Sequence, residues 1–261
     1  MDISNKYSNF ANRFDIYDLR MKTIGKIRQR FGEAVVRYGL LSDGDKILVG
    51  VSGGKDSLCL LELLAMQARI FKPQITVEAL HVRMENVQYE TDLEWLENFC
   101  KELGVTLHVR TTRFDKATNT QEEKPACFLC SWMRRKMMFE VAQQLGCNKI
   151  ALGHHQDDIM HTTLMNLFTQ GRFSTMPAML RMEKMPLTII RPLCMVREED
   201  IATLAEEHHY ERQTAICPHE KETMRDDMRR LFDNLEQQNP EVRFSIWKAL
   251  EREGKFVENG K

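Results

Sequence analysis

The sequence has no excess of positive charge. Its 37 lysine and arginine residues are balanced by 38 aspartate and glutamate residues, which gives a formal net charge of −1. A protein that binds nucleic acid over a broad surface usually carries a clear basic surplus. Any RNA site must therefore be a local basic patch.

Long apolar stretches are also missing. The first twenty residues are polar and mixed in charge, and nowhere in the chain do eighteen apolar residues follow one another. These absences argue against an export signal and against a membrane-spanning helix. They predict a soluble cytoplasmic protein without a membrane partner.

Disulfide bonds are not expected. The chain has seven cysteines, an odd number, and no export signal. Reduced thiols or metal ligands are therefore favoured over disulfides. Four of the cysteines lie inside apolar patterns and are predicted to belong to the core: Cys59, Cys100, Cys147 and Cys194.

Apolar runs and helical patterns alternate along the chain. The runs predict buried strands at 46–52, 75–82, 105–110, 148–153 and 187–193. Stretches with helical period lie at 57–68, 92–103, 130–145 and 157–168. Such alternation predicts an α/β fold, with a parallel sheet that is covered by helices on both faces.

Helical segments are predicted at both ends of this α/β unit. Residues 19–38 are amphipathic, and the sequence beyond residue 217 fits two helices that are broken near Asn239-Pro240. We therefore divide the chain into an N-terminal helical segment at 1–45, a central domain at 46–215 and a C-terminal helical segment at 216–261.

The stretch VGVSGGKDS, residues 49–57, places a small polar turn directly after the first predicted strand. Glycines allow backbone N–H groups to turn toward one point, and the helix that follows adds its positive end. Phosphate is the natural ligand of such a turn. The spacing differs from a Walker A loop, because Gly50 is one residue too close to Gly54 and Asp56 stands where that loop has its hydroxyl.

The turn instead resembles the Ser-Gly-Gly-x-Asp-Ser signature of the PP-loop ATP pyrophosphatases, which cleave ATP between the α and β phosphates. The resemblance implies a Rossmann-like adenine nucleotide alpha hydrolase fold for the central domain. It also implies a role for every residue of the turn. Phosphate oxygens would be held by Ser52, Gly53, Gly54 and Ser57, magnesium by Asp56, and Lys55 would add positive charge.

A second polar turn, LGHHQDDIMHT at 152–162, follows the fourth predicted strand. Taken alone, its histidines and carboxylates suit a metallohydrolase site or simply the polar cap of a helix. PP-loop tRNA enzymes carry a similar Gly-His-His-x-Asp-Asp. That resemblance implies that Gly153 lies at the nucleotide, and that Asp157 or Asp158 holds magnesium or orients the reacting base.

Cys127 and Cys130 form a Cys-x-x-Cys motif at a predicted helix start, where thiolates are stabilised. A thioredoxin-like redox pair does not suit this strand order. A zinc site can use these two cysteines with Cys217 and His219. An iron–sulfur cluster can use three cysteines, and Cys217-Pro218 is typical of cluster ligands. Spacing alone does not separate zinc from a cluster.

The runs KPACFLCSWMRRKMM, NKIALGHHQDDIMHTTLMNLF, IIRPL and AICPHE together resemble the tRNA 2-thiocytidine synthetases (TtcA family). The resemblance implies ATP-dependent thiolation of a cytidine in the tRNA anticodon loop. It implies a [4Fe-4S] cluster on Cys127, Cys130 and Cys217, a sulfur donor protein or sulfide, and a homodimer. The chain departs from the family after its third cysteine, where it reads Pro218-His219-Glu220.

The reaction implied is adenylation of the cytidine O2 by ATP and Mg²⁺, followed by attack of sulfur and loss of AMP. The catalytic residues would be Asp56 and the three cysteines. Two alternatives stay open at this point. One is another PP-loop tRNA enzyme, such as a lysidine-synthase-like ligase, and the other is a non-catalytic, zinc-stabilised protein that binds RNA or nucleotide.

The local basic patch is sought in the N-terminal segment. Lys22, Lys26 and Arg30 are spaced by four and form a stripe on the predicted helix, which makes them a candidate tRNA contact or an ordinary solvated face. Residues 134–136, beside the cysteine motif, are a second candidate.

Overall fold

A computed structural model of the chain describes residues 22–85, 87–89, 93–113, 126–211, 215–216 and 224–259. The helices of these ranges are α1 (22–38), α2 (Lys55–Ala68), α3 (Glu94–Leu103), α4 (Ala126–Gln144), α5 (Gln156–Gln170), α6 (Glu198–Glu207), α7 (Met224–Gln238) and α8 (Val242–Arg252). The strands are β1 (Lys46–Gly50), β2 (Thr76–Met84), β3 (Gln88–Tyr89), β4 (Thr106–Thr112), β5 (Lys149–Ala151), β6 (Met179–Arg181), β7 (Thr188–Ile190), β8 (Ala215–Ile216) and β9 (Val257–Asn259).

Seven strands form one sheet in the order β4-β2-β1-β5-β7-β6-β9. Pairing is parallel from β4 through β7 and between β6 and β9, whereas β6 and β7 are antiparallel. The chain runs from β1 outward to β2 and β4, and then returns to β5 on the other side of β1. The strand order therefore reverses between β1 and β5, and ligands of such sheets bind outside the carboxyl ends of the strands at this point.

The sheet is buried on both faces because alternate residues of β1 point in opposite directions. Ile47 and Val49 lie in a large core with α1, α2 and α5 to α8. Leu48 faces the other way and packs with Leu80 and Ile150 beneath α4. All three β1 side chains are fully buried, which explains why the run was recognisable as a strand.

These observations confirm the predicted α/β fold with helices on both faces. The five predicted strands and the helices between them are present, and α7 and α8 are separated at Asn239-Pro240 as expected. The antiparallel strand β6, the edge strand β9 and helix α6 were not predicted. The proposed division at residues 45 and 215 stays a prediction.

Helix α1 packs its predicted apolar side against the main core, where Ile27 and Phe31 are buried. The basic stripe lies on its exposed side. Lys26 forms an ion pair with Asp200 at 2.7 Å, and Arg30 forms one with Glu33 at 3.0 Å. Within the described residues, every helix is too short or too polar to cross a membrane.

A buried ion pair joins the start of β5 to the chain before β1. Lys149 Nζ donates to Asp45 Oδ2 at 2.6 Å and to the Leu40 carbonyl at 2.7 Å. The other interactions of the Asp45 carboxylate are hydrogen bonds from the Ser42 N–H and the Asn148 side chain. Lys149 and Asp45 are only 8% and 4% exposed, so losing one partner leaves the other charge buried.

We expect Lys149→Met to lower the free energy of unfolding by about 3–5 kcal/mol, because Asp45 then keeps a buried charge without its counterion. Lys46→Met is the matched control. Its ammonium lies 3.5 Å from Glu78 and is more exposed, so the expected change is below about 1 kcal/mol. Urea unfolding measures both. Equal losses in the two variants would contradict the assigned role of Lys149.

Candidate active site

Two polar loops meet at the reversal point of the sheet. The first joins β1 to α2, and the second joins β5 to α5. Their strands are paired, with Val49 opposite Ala151. A Cβ atom on Gly153 would lie 2.9 Å from the carbonyl carbon and oxygen of Asp56 and 3.0 Å from the Ser57 nitrogen. The loops are therefore in direct backbone contact, and only glycine fits at position 153.

The first loop is held in a tight turn by its own serines. Gly53 has a φ of +86°, in the left-handed region that favours glycine. The Ser52 N–H donates to Ser57 Oγ at 3.2 Å, and Ser57 Oγ donates to the Gly54 carbonyl at 2.9 Å. Gly54 precedes α2 and has no side chain to cap it. The positive amino end of α2 therefore opens toward the turn, as an anion site requires.

Lys55 is the cation of this loop. Its Nζ lies 2.9 Å from Glu198 Oε1 and 3.1 Å from Asp56 Oδ1. Burial by itself lowers the pKa of Lys55, but the two carboxylates outweigh it and raise that pKa above its usual value. Asp56 Oδ1 is buried and, within the described part of the chain, accepts no hydrogen bond, whereas Asp56 Oδ2 accepts one from Lys55 Nζ at 3.4 Å.

Three carboxylates surround His155, which is 4% exposed. Its Nε2 lies 3.5 Å from Asp158 Oδ2 and 3.9 Å from Asp56 Oδ1, and its Nδ1 lies 3.6 Å from Asp157 Oδ2. Burial lowers the pKa of His155, but these carboxylates, Asp157 first, raise it above the usual value overall. His155 therefore lies in a strongly anionic environment between the two loops.

Residues of α6 and α8 hold the Asp157 carboxylate in place. Its Oδ1 pairs with Arg243 Nη1 at 2.8 Å, and its Oδ2 accepts the Glu198 N–H at 2.7 Å. Burial raises the pKa of Asp157, but His155 and Arg243 lower it well below its usual range. Asp157 is therefore ionised at neutral pH.

His154 differs from its neighbour. Burial lowers its pKa to about 4, and the positive charge of Arg191 adds to the effect. The imidazole is neutral at physiological pH. Its Nδ1 is buried, and it has no hydrogen-bond partner among the described residues. The pKa values of the two histidines of the turn are therefore shifted in opposite directions.

Cys127 and Cys130 lie in the first turns of α4, three residues apart and hence on one side of the helix. Cys127 is exposed and Cys130 is partly exposed. Further along α4, Met138 Sδ is 3.0 Å from the position that a Cβ atom on Gly50 would take, so this helix packs directly on β1.

His81 of β2 connects the same helix to the first loop. It is 1% exposed, and its Nδ1 donates to the Val51 carbonyl at 2.8 Å. Burial lowers the pKa of His81, and the charge of Arg134 on α4 lowers it further. Arg134 lies one helical turn beyond Cys130, which places the cysteine motif on the helix that borders the first loop.

Cys217 lies outside the described residues, so its predicted partnership with the other two cysteines stays a prediction. Strand β8 ends one residue before it and pairs antiparallel with β3. Strand β3 follows the carboxyl end of β2, at the same edge of the sheet as the two loops. Within the described ranges, no group of three or more His, Cys, Asp and Glu side chains is arranged as a ready-made metal centre.

The four cysteines assigned to the core are buried, as predicted: Cys59, Cys100, Cys147 and Cys194. Glu198 and the arginines of α7 and α8 are not recognisable as part of this site from the sequence alone. Glu198 stands in a run of acidic residues at the start of α6, and nothing in that run distinguishes it from Glu199. Its importance comes from the fold, which brings Lys55 to its side chain and Asp157 to its N–H.

Comparison with known proteins agrees with this geometry. The family model described as PP-loop domain matches residues 23–235. A protein named tRNA-cytidine(32) 2-sulfurtransferase 1 from Francisella tularensis subsp. novicida is 37% identical over 232 residues, which cover 86% of this chain and 85% of the relative. A tRNA-cytidine(32) 2-sulfurtransferase from Geobacter sulfurreducens is 34% identical over 229 residues, covering 86% and 88%.

A solved structure shares the fold. The U34-tRNA thiolase NcsA from Methanococcus maripaludis, solved with its [4Fe-4S] cluster, superposes with a TM-score of 0.69 at 26% identity. The match covers 89% of this chain and 79% of the thiolase. The recognition made from the sequence motifs is confirmed. The chain belongs to the tRNA 2-thiocytidine synthetase family of PP-loop ATP pyrophosphatases.

Proposed function

We propose that this protein is an ATP-dependent tRNA sulfurtransferase, which adenylates O2 of a cytidine in the anticodon loop and replaces that oxygen with sulfur. The names of the curated relatives support cytidine 32 as the target. The observation that carries the proposal is the contact of Gly153 with the backbone of Asp56. It joins an anion-binding turn to a set of carboxylates beside the helix that bears the cysteine motif.

The first loop fits the phosphates of ATP. The left-handed Gly53 bends the chain into the amino end of α2, where Gly54 has no side chain to cap the helix, and Lys55 adds positive charge. We assign phosphate contacts to the backbone and side chains of the turn and of Gly153 in the facing loop. The phosphate-binding residues are then Ser52, Gly53, Gly54, Lys55, Ser57 and Gly153.

The carboxylates fit Mg²⁺. This ion usually takes one or two carboxylates together with phosphate oxygens and water, so it does not need a complete protein cage. The buried Oδ1 of Asp56 accepts no hydrogen bond from the described residues, and Asp157 and Asp158 lie around the same imidazole. We assign Asp56 as a ligand, with Asp157 or Asp158 as the second.

The chemistry begins with attack of the cytosine O2 on the α-phosphorus of ATP. The bond between the α and β phosphates breaks, and pyrophosphate leaves. Lys55 and the amino end of α2 stabilise the negative charge that builds up on the leaving group. O2 becomes a good leaving group once it carries AMP, and sulfur then replaces it at C2 while AMP departs.

The cysteine motif fits an iron–sulfur cluster. Cys127 and Cys130 stand at the start of α4, where the helix dipole favours thiolates, and the U34-tRNA thiolase NcsA was solved with a [4Fe-4S] cluster. We assign Cys127, Cys130 and Cys217 as the ligands. Held by these three cysteines, a cluster would supply an iron site without a protein thiolate, which suits delivery of sulfur to the cytidine.

The remaining parts of the reaction need partners. A loop base can be splayed into a pocket more readily than a paired one, which suits an anticodon-loop cytidine. The stripe of Lys22, Lys26 and Arg30 is the proposed tRNA contact on α1. Sulfide or a sulfur donor protein supplies the sulfur, and a cytoplasmic homodimer is the proposed working form.

Asp56→Ala should lower ATP-dependent thiolation of tRNA by at least about 100-fold, because charge on the departing pyrophosphate is no longer neutralised through this carboxylate. The measurement is formation of 2-thiocytidine and release of pyrophosphate by the purified protein. Asp43→Ala, an exposed carboxylate before β1, is the control and should keep full activity. Full activity of Asp56→Ala would refute the assignment.

Anaerobic purification should give a brown protein with iron and acid-labile sulfide in equal amounts. Cys127→Ser and Cys130→Ser should each lose both, because each removes one thiolate ligand. Cys147→Ala, which alters a buried core cysteine, should retain them. A colourless protein with one zinc ion per chain would contradict the cluster, and a cluster that survives both serine substitutions would contradict the ligands.

Gly153→Ala should weaken ATP binding and lower stability by about 1–3 kcal/mol, because its Cβ must push the backbone of Asp56 aside. Gly32→Ala in α1 is the matched control. Its Cβ meets nothing within 4 Å, and alanine favours the helix, so stability should be unchanged or should rise by about 0.5–1 kcal/mol. Calorimetric titration measures the ATP affinity of both variants, and thermal unfolding measures their stability. Wild-type ATP affinity in Gly153→Ala would show that the two loops need not touch.

A further inference from the structure

The charge of the two polar loops does not suit a triphosphate. Residues 52–57 and 153–158 contain one lysine and three aspartates, so the carboxylates outnumber the lysine by two. The lysine is already paired with Asp56 and Glu198. ATP is strongly anionic, and magnesium offsets only part of its charge. Further cations must therefore come from outside the loops.

Helix α7 is placed to supply them. It packs on α5, where Phe232 is fully buried and meets His161 edge-on at 5.9 Å between ring centroids. Arg225 and Arg229 are four residues apart and therefore share one side of α7. Both side chains are about half exposed, at 50% and 49%.

Both arginines reach the carboxylates at the loops. Arg225 Nη1 lies 3.7 Å from Asp158 Oδ1 in the second loop. Arg229 forms an ion pair with Glu198, whose other oxygen lies 2.9 Å from Lys55 Nζ of the first loop. The charge of Arg225 also contributes to the low pKa of His154. Each loop thus has one arginine of α7 beside it.

We propose that Arg225 and Arg229 bind the β and γ phosphates of ATP, as a second wall opposite the glycine turn. The proposal rests on the proposed function, since it takes the turn as the phosphate cradle. A guanidinium has five N–H donors, so it can hold a carboxylate and a phosphate oxygen at once. The 3.7 Å separation of Arg225 from Asp158 exceeds a hydrogen bond, and this guanidinium is therefore easily shared with a ligand.

Glu198 then acts as a positioning residue, because its carboxylate pairs with Lys55 at the glycine turn and with Arg229 on α7. Burial raises the pKa of Glu198, but Lys55 and Arg229 lower it overall, so the group is ionised at neutral pH. The arginines bring positive charge to the phosphates without disturbing the pairing of Lys55.

The test is calorimetric titration of the Arg225→Gln/Arg229→Gln variant with two probes in the presence of Mg²⁺: α,β-methylene-ATP and AMP. We expect about ten- to hundred-fold weaker binding of the triphosphate and unchanged binding of AMP, which lacks the β and γ phosphates. Arg225→Lys/Arg229→Lys should give an intermediate loss, since charge is kept but the planar fork is not. Arg230→Gln is the matched control. Arg230 lies on the same helix, is 59% exposed and pairs with Asp227, and its loss should change neither affinity.

Circular dichroism and thermal unfolding verify that the variants are folded. Equal weakening of both probes would overturn the proposal, because a general distortion of the site predicts it. Unchanged triphosphate binding with weaker tRNA binding would overturn it in favour of an RNA contact. If the wild-type protein binds no triphosphate, the proposed function itself fails, whereas wild-type binding with unaffected variants defeats only the role of the arginines.

Discussion

The close approach of Gly153 to the backbone of Asp56 is the constraint on which the site depends. Strands β1 and β5 are neighbours, so the loops that follow them leave the sheet side by side. The missing side chain at position 153 lets them touch. Because they touch, the carboxylates of both loops can surround one imidazole, and the amino end of α2 faces the same space.

Two charges in this space are held by distant parts of the chain. Asp157 is held by Arg243 of α8 and by the N–H of Glu198, and Lys55 is held by the Glu198 side chain. Such bracing fixes dipoles and charges before a ligand arrives. Preorganised charge is worth more to a reaction than charge that must reorient, since the cost of ordering has already been met during folding.

The sequence was sufficient for the parts of the site with local signals. Ser52 to Ser57 and Gly153 to Asp158 follow runs of apolar residues, and glycine beside polar side chains marks a turn at a strand end. The same runs indicate the parallel core. Cys127 and Cys130 were recognisable because their spacing is that of paired ligands on a helix.

Other features have no local signal. Strands β6 and β9 are three residues long, too short to show alternation, and they are defined only by pairing with each other and with β7. Glu198 and Arg243 look like ordinary surface charges until the fold brings them to Asp157. Lys149 is a similar case. A lysine in a strand is normally expected to be exposed, and its buried partner, Asp45, lies far away in the sequence, before β1. In all of these cases the structural role depends on contacts between residues that are far apart in the sequence.

The bracing of Asp157 by α8 has a consequence for synthesis of the protein on the ribosome. Both polar loops emerge early, but Arg243 follows much later, and β9 returns after it to pair with β6. A nascent chain that ends between α5 and α8 carries crowded carboxylates without that counterion. Since domains fold as their segments emerge, the pocket can be completed only after α8 has left the exit tunnel. Translation order thus delays assembly of this carboxylate cluster until Arg243 is available.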